Sequence, residues 1–190
     1  LFIGSFDKIV AAVDNTRDLG GTQNKAVEIG RLGSVRVGGV VLMGAGRTGG
    51  AAAAYAGDVS AKDAWSKLAA DAHAVLVDVR SDAEWTFVGL PDLSSVGKSP
   101  VLVPLQVFPG MKPNPDFAAE VARAIPSKDA PIYFICRSGG RSRTAAIALS
   151  ALGYKQCFNV AGGFEGDLDV ERHRGNAGGW KAAGLPWVQS

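Results

Sequence analysis

Pro131-Ile132-Tyr133-Phe134-Ile135-Cys136-Arg137-Ser138-Gly139-Gly140-Arg141-Ser142 is a short apolar run that ends in a cysteine and then turns through two glycines. A continuous β-branched and aromatic run of this length suits a strand buried on both faces, as in a parallel sheet. The alanines that follow, with Ile147, Leu149 and Leu152, read as a helix that stops at Gly153. Strand, loop and helix in this order are the repeating unit of an α/β sheet.

The same alternation extends in both directions. Ser60 followed by Asp63 caps a helix over 61–70, with Ala64, Leu68 and Trp65 on its apolar side. Ala74-Val75-Leu76-Val77 is a second buried strand, and Ser81 with Glu84 repeats the capping-box pattern for a brief helix through Trp85. Val101-Leu102-Val103 is a weaker strand that Pro104 ends, and the three prolines in 109–115 make that segment a loop. Asn114 and Pro115 fit the N-cap and first position of a helix running to Ile125, which Pro126 terminates. Cys157-Phe158-Asn159-Val160 is the last strand. Together these segments predict an α/β fold, a small doubly wound parallel sheet with helices on both faces.

All of these elements lie beyond residue 57. Residues 1–57 are rich in glycine and alanine with few large side chains, bury little area per ordered residue, and are expected to form a mobile N-terminal extension to a domain over 58–190. The first methionine is Met43, which a reading frame opened too far upstream would explain. Residues 35–45 and the alanines at 51–56 have some signal-peptide character, but Arg47 and the glycines interrupt it. No stretch approaches the roughly 20 apolar residues of a membrane span. The net charge of +2 provides no footprint for nucleic acid. Two cysteines, Cys136 and Cys157, cannot make a disulfide framework, which favours a reducing, cytoplasmic setting.

Three other signals carry less. Gly44-Ala45-Gly46-Arg47-Thr48-Gly49 satisfies G-x-G-x-x-G, but no full helix and second strand follow it as a dinucleotide site requires. His73 and His173 are the only histidines and lack cysteine partners at metal spacing, so no metal is expected. Arg172-His173-Arg174 reads as a solvated charged cluster.

The cysteine loop is the chemical centre. A loop between the carboxyl end of a buried strand and a helix N-terminus points unpaired backbone N–H groups at one spot, where the helix dipole also favours negative charge. A thiolate at Cys136 is stabilised there and stands ready as a nucleophile. Gly139 and Gly140 let the backbone curl round the sulfur, and Arg137 and Arg141 supply forked donors for an anionic substrate. Asp78 and Arg80 are expected to buttress the cleft through a salt bridge or hydrogen bonds. Cys157 has no such neighbours and reads as a core cysteine.

The loop, Asp78-Val79-Arg80 after the second strand, Gly162-Gly163-Phe164-Glu165 after the last, and the closing Gly184-Leu185-Pro186 together resemble the rhodanese family over residues 58–190. The resemblance implies the rhodanese α/β fold and a sulfurtransferase with a persulfide intermediate on Cys136. Arg137, Ser138, Gly139, Gly140, Arg141 and Ser142 would hold the substrate. The implied partners are a small anionic sulfur donor such as thiosulfate and a cyanide or thiol acceptor, with an acceptor protein as a further option and no cofactor. Four residues separate Cys136 from Arg141, whereas cysteine phosphatases of the same fold use C-x5-R, and Ser142 stands where that arginine would be. A phosphatase or arsenate reductase, and a non-enzymatic sulfur carrier, are the alternative readings. The chain departs from the family at Gly89-Leu90-Pro91-Asp92, where many members have Gly-His-Ile-Pro-Gly, and in an insertion near 167–179 that displaces a tryptophan to Trp180. The Phe108-Pro109-Gly110-Met111 loop is expected to border the cleft and restrict acceptors.

Overall fold

The computed structural model describes residues 55–189. Of the expected mobile extension over 1–57, residues 1–54 lie outside the described residues, and the first strand already starts at Gly57. Five parallel strands form the central sheet in the order β1-β8-β7-β2-β4. They are β1 (Gly57–Val59), β2 (Val75–Asp78), β4 (Val101–Leu102), β7 (Ile132–Ile135) and β8 (Cys157–Val160). The helices are α1 (Ala61–Ala70), α2 (Asp82–Val88), α3 (Phe117–Ala124), α4 (Gly140–Ala151) and α5 (Gly179–Ala182). Two short antiparallel pairs sit beside the sheet: β3 (Leu90–Pro91) with β9 (Trp187–Val188), and β5 (Gln106–Val107) with β6 (Lys112–Pro113).

The sheet separates two apolar clusters, which explains why its strands read as unbroken apolar runs. Successive side chains of a strand point to opposite faces, so β7 sends Ile132 and Phe134 into the cluster with Phe117, Val121 and Leu149, and Tyr133 and Ile135 into the cluster with Ala64, Leu68 and Trp180. Helices α3 and α4 therefore cover one face and α1 and α5 the other, as the doubly wound reading requires. No helix among the described residues is long and apolar enough to cross a membrane.

The local signals at Ser60 and Ser81 operate as the sequence indicates. Ser60 Oγ accepts from the Asp63 N–H at the start of α1, and Ser81 with Glu84 forms a complete capping box on α2. Two local readings are corrected. Helix α3 begins at Phe117 instead of Pro115, because the Asn114 side chain is engaged in a turn: its Oδ1 accepts from the Asp116 N–H at 3.0 Å and its Nδ2 donates to Pro104 O at 2.9 Å. The segment 109–115 is not wholly loop, since Lys112 and Pro113 pair back on Val107 and Gln106. That pair is a sheet of two strands, so Pro113 breaks no interior ladder.

Strands β2, β4, β7 and β8 run parallel, so the segments that leave their carboxyl ends gather along one edge of the sheet. These are residues 79–84, 103–113, 136–141 and 161–166. The cysteine loop lies among them.

Candidate active site

Cys136 follows directly on β7, and its side chain is 1 % exposed. Gly139 takes φ +99° and opens α4 without a side-chain cap, so the first N–H groups of the helix remain available to the loop. The Gly139 N–H donates to Cys136 Sγ at 3.1 Å. The Ser142 hydroxyl, fully buried, also lies 3.1 Å from the sulfur and 2.6 Å from Asn159 Oδ1. A serine hydroxyl has one proton. It can serve Asn159 while Cys136 is a thiol and turn to the sulfur once negative charge develops there.

The loop is clamped from the next strand's exit. Phe164 N–H donates to Cys136 O at 2.7 Å, and the N–H groups of Glu165 and Gly166 donate to Arg137 O at 2.9 and 3.2 Å. Gly163 is required for this approach. It has φ +57°, and a Cβ there would stand 2.3 Å from Cys136 O. Gly163 thus lets the segment after β8 fix the cysteine loop by backbone contact.

The structure distributes the predicted substrate residues over different surroundings. Arg137 is exposed, makes no ion pair among the described residues, and lines a cavity of about 610 Å³ together with Arg141, Phe108 and Met111. Ser138, Gly139 and Gly140 face another cavity of about 330 Å³. Ser142 is in the lining of neither cavity and lies against the sulfur and Asn159. Arg141 is held in a fork with Glu84, at 2.8 Å from Nη1 to Oε2 and 2.6 Å from Nη2 to Oε1. Asp78 and Arg80 are both fully buried and paired with each other, Nη2 to Oδ2 at 2.6 Å, away from the cavity lining. Cys157 packs in the core, where burial pushes its thiol up to about 11 against a weaker lowering by Ser150.

Three residues of the site were not legible as such. Glu84 serves α2 as a cap, but also neutralises Arg141, because β2 and β7 are neighbours and their exits meet. Asn159 stands behind Ser142, and its Nδ2 donates to Asp58 Oδ1 at 2.9 Å. The Asp58 carboxylate in turn accepts from Tyr55 and from Arg143. Arg174, read above as part of a solvated cluster, lines the 610 Å³ cavity. The only advance signal was its position in the insertion, which reveals nothing about direction.

The Glu84–Arg141 fork has a measurable consequence. Burial alone would raise Glu84, but the Arg141 hydrogen bonds, the Ser81 N–H and the Arg141 charge outweigh it and bring the carboxyl from 4.5 down to about 2. At Arg141 burial works against the charge, and the Glu84 hydrogen bonds, then the charges of Glu84, Cys136 and Asp78, hold it above its ordinary value. A carboxylate depressed by folding stabilises the protein fully above its unfolded value, and this is lost as pH falls through the folded one. Glu84→Gln should therefore cost on the order of 1–2 kcal/mol at neutral pH, and the gap to wild type should close between pH 4.5 and about 2. Urea unfolding across that range measures it. A gap independent of pH would show that the carboxylate charge is not what holds Arg141.

The comparisons with known proteins agree with this architecture. The family described as the STR4 middle domain matches residues 56–190. The chain is 47% identical to the protein in the crystal structure of Rv0390 from M. tuberculosis, with a TM-score of 0.67 over 72% of this chain and 100% of that one. It is 35% identical over 131 residues to the uncharacterized protein RP600 of Rickettsia prowazekii (strain Madrid E), covering 68% of this chain and 95% of that protein. Rhodanese-like domain-containing protein 4, chloroplastic, of Arabidopsis thaliana is 28% identical over 131 residues, 68% of this chain but 25% of its own length.

Proposed function

Because this chain belongs to the family described as the STR4 middle domain, matched over residues 56–190, and is similar to a rhodanese-like domain-containing protein, we propose that it is a sulfurtransferase carrying sulfane sulfur on Cys136. The observation that supports this most is the environment of the sulfur: Gly139 N–H and the Ser142 hydroxyl each lie 3.1 Å from Sγ at the start of α4. Such donors stabilise a thiolate and, after loading, a persulfide anion.

The reaction is a double displacement. Cys136 thiolate attacks the outer sulfur of thiosulfate, the S–S bond of the donor breaks, and sulfite departs with the electron pair. Arg137, unpaired at the loop's edge, holds the departing sulfite. A thiolate or cyanide then attacks the outer sulfur of the persulfide and regenerates Cys136 thiolate. Splitting one transfer into two steps lets one loop stabilise both charged states. Since Cys136 is 1 % exposed, the loop must shift locally as the donor enters.

The test is mass spectrometry of the protein after thiosulfate, read together with sulfite release. One added sulfur per chain on the peptide containing Cys136, with one sulfite formed, is the expected result. Hydrolysis of an aryl phosphate without sulfur uptake would replace this reading with the phosphatase one.

A further inference from the structure

The inserted segment after Gly166 is an ordered loop with its own anchor. Asp169 accepts from the N–H groups of Glu171 at 3.0 Å and His173 at 2.8 Å, and from Asn176 Nδ2 at 2.8 Å. The Gly175 N–H donates to Glu165 O, and Arg174 Nη1 donates to Gly166 O, both at 2.6 Å. These contacts fold the loop back on the clamp beneath the cysteine loop and place Arg174 in the wall of the 610 Å³ cavity.

That cavity is larger than an inorganic sulfur donor or cyanide requires, and falls in the range of roughly 300–1,000 Å³ used for organic ligands. One side is apolar, with Phe108 and Met111 both partly exposed to it. Its charges do not cancel evenly. Three arginines, Arg137, Arg141 and Arg174, line it against two carboxylates, Glu84 and Glu165, and Arg141 is neutralised by Glu84. Arg137 and Arg174 make no ion pair among the described residues. One guanidinium belongs to the cysteine loop and the other to a separate segment, so the cavity offers a second anion site beside the one used in sulfur transfer.

Resting on the sulfurtransferase reading, we propose that Arg174 determines acceptor specificity: it binds the carboxylate of an organic thiol whose apolar body lies against Phe108 and Met111. A guanidinium fork matches a carboxylate, and the apolar wall favours a hydrocarbon linker. The acceptor thiol gives its proton to the outer sulfur of the Cys136 persulfide anion, and its thiolate attacks that sulfur. The S–S bond breaks, Cys136 leaves as thiolate, and the acceptor departs as R–S–SH. No oxidant or reductant is consumed.

The experiment compares mercaptohexanoate with mercaptohexanol as acceptors, and titrates hexanoate, which lacks a thiol, by NMR. The ratio of kcat/KM for the acid over the alcohol should exceed one in wild type and fall about ten- to a hundredfold in Arg174→Gln, the loss of a charged hydrogen bond. Arg174→Lys should give an intermediate ratio. Hexanoate should shift the resonances of Phe108, Met111 and Arg174 in wild type and bind more weakly to Arg174→Gln by a similar factor. An unchanged ratio, or hexanoate shifts elsewhere, overturns the proposal. If hexanoate binds as described but thiosulfate loads no sulfur, the sulfurtransferase reading fails and the carboxylate site stands.

Discussion

Cys136→Ser should take up no sulfur from thiosulfate, release no sulfite above the uncatalysed rate, and still unfold cooperatively within about 1 kcal/mol of wild type. Serine retains the size and can still meet the Gly139 N–H and Ser142, which lie 3.1 Å from the sulfur in the parent. Its hydroxyl does not ionise at neutral pH, and oxygen forms no persulfide, so the chemical step is lost outright. Cys157→Ser should keep uptake and lose stability, since that side chain is fully buried between β8 and α4. With its thiol at about 11, Cys157 supplies almost no thiolate near neutrality. Peptide mapping of the loaded protein decides between the two cysteines. Sulfur found on Cys157, or uptake by Cys136→Ser, rules out the proposed intermediate.

Asp78→Ala should produce the largest loss of stability among single changes at the loop's support, about 3–5 kcal/mol, because it strands a buried charge. Arg80 is fully buried, with Nε donating to both Asp78 oxygens at 3.0 Å and Nη2 to Oδ2 at 2.6 Å. The guanidinium's remaining contacts among the described residues are Gly89 O at 2.8 Å and the Phe164 ring, 4.1 Å from Cζ, while Nη1 has no partner among them. Without the carboxylate these cannot compensate for the desolvated guanidinium. The double variant Asp78→Leu with Arg80→Leu should be less damaged than Asp78→Ala, as apolar groups leave no charge unpaired. Urea denaturation of the three proteins tests the ordering. A double variant as unstable as the single would place the role of the pair in packing and not in charge. Phe164 also donates its N–H to Cys136 O, so the pair stabilises the segment that clamps the cysteine loop.

Most of the fold was legible where the signal is local. The capping residues Ser60 and Ser81 act within three residues of themselves, and the apolar runs at β2, β7 and β8 are long enough to show burial on both faces. β1 could not be read this way. It has three residues, and it exists as a strand because Gly57, Asp58 and Val59 align with Phe158, Asn159 and Val160. The start of α3 was misread because Asn114, a good cap by type, bonds to Pro104 from across a hairpin.

By itself, then, the sequence determined the alternation of strands and helices, the glycine-bearing cysteine loop at a strand's carboxyl end, and the core placement of Cys157. Each follows from residue types within one element or at its junction, where covalent spacing fixes the neighbours. Only the tertiary structure decided that Arg141 is held by Glu84, that Ser142 is backed by Asn159 and Asp58, and that Arg174 faces the cavity. Glu84 and Arg141 are 57 positions apart, and Asp58 and Asn159 are 101 apart. Their meeting depends on strand order β1-β8-β7-β2-β4, which sets which exits share an edge. That order arises from burying the apolar faces of strands and helices from distant parts of the chain in two shared clusters, so no single segment encodes it.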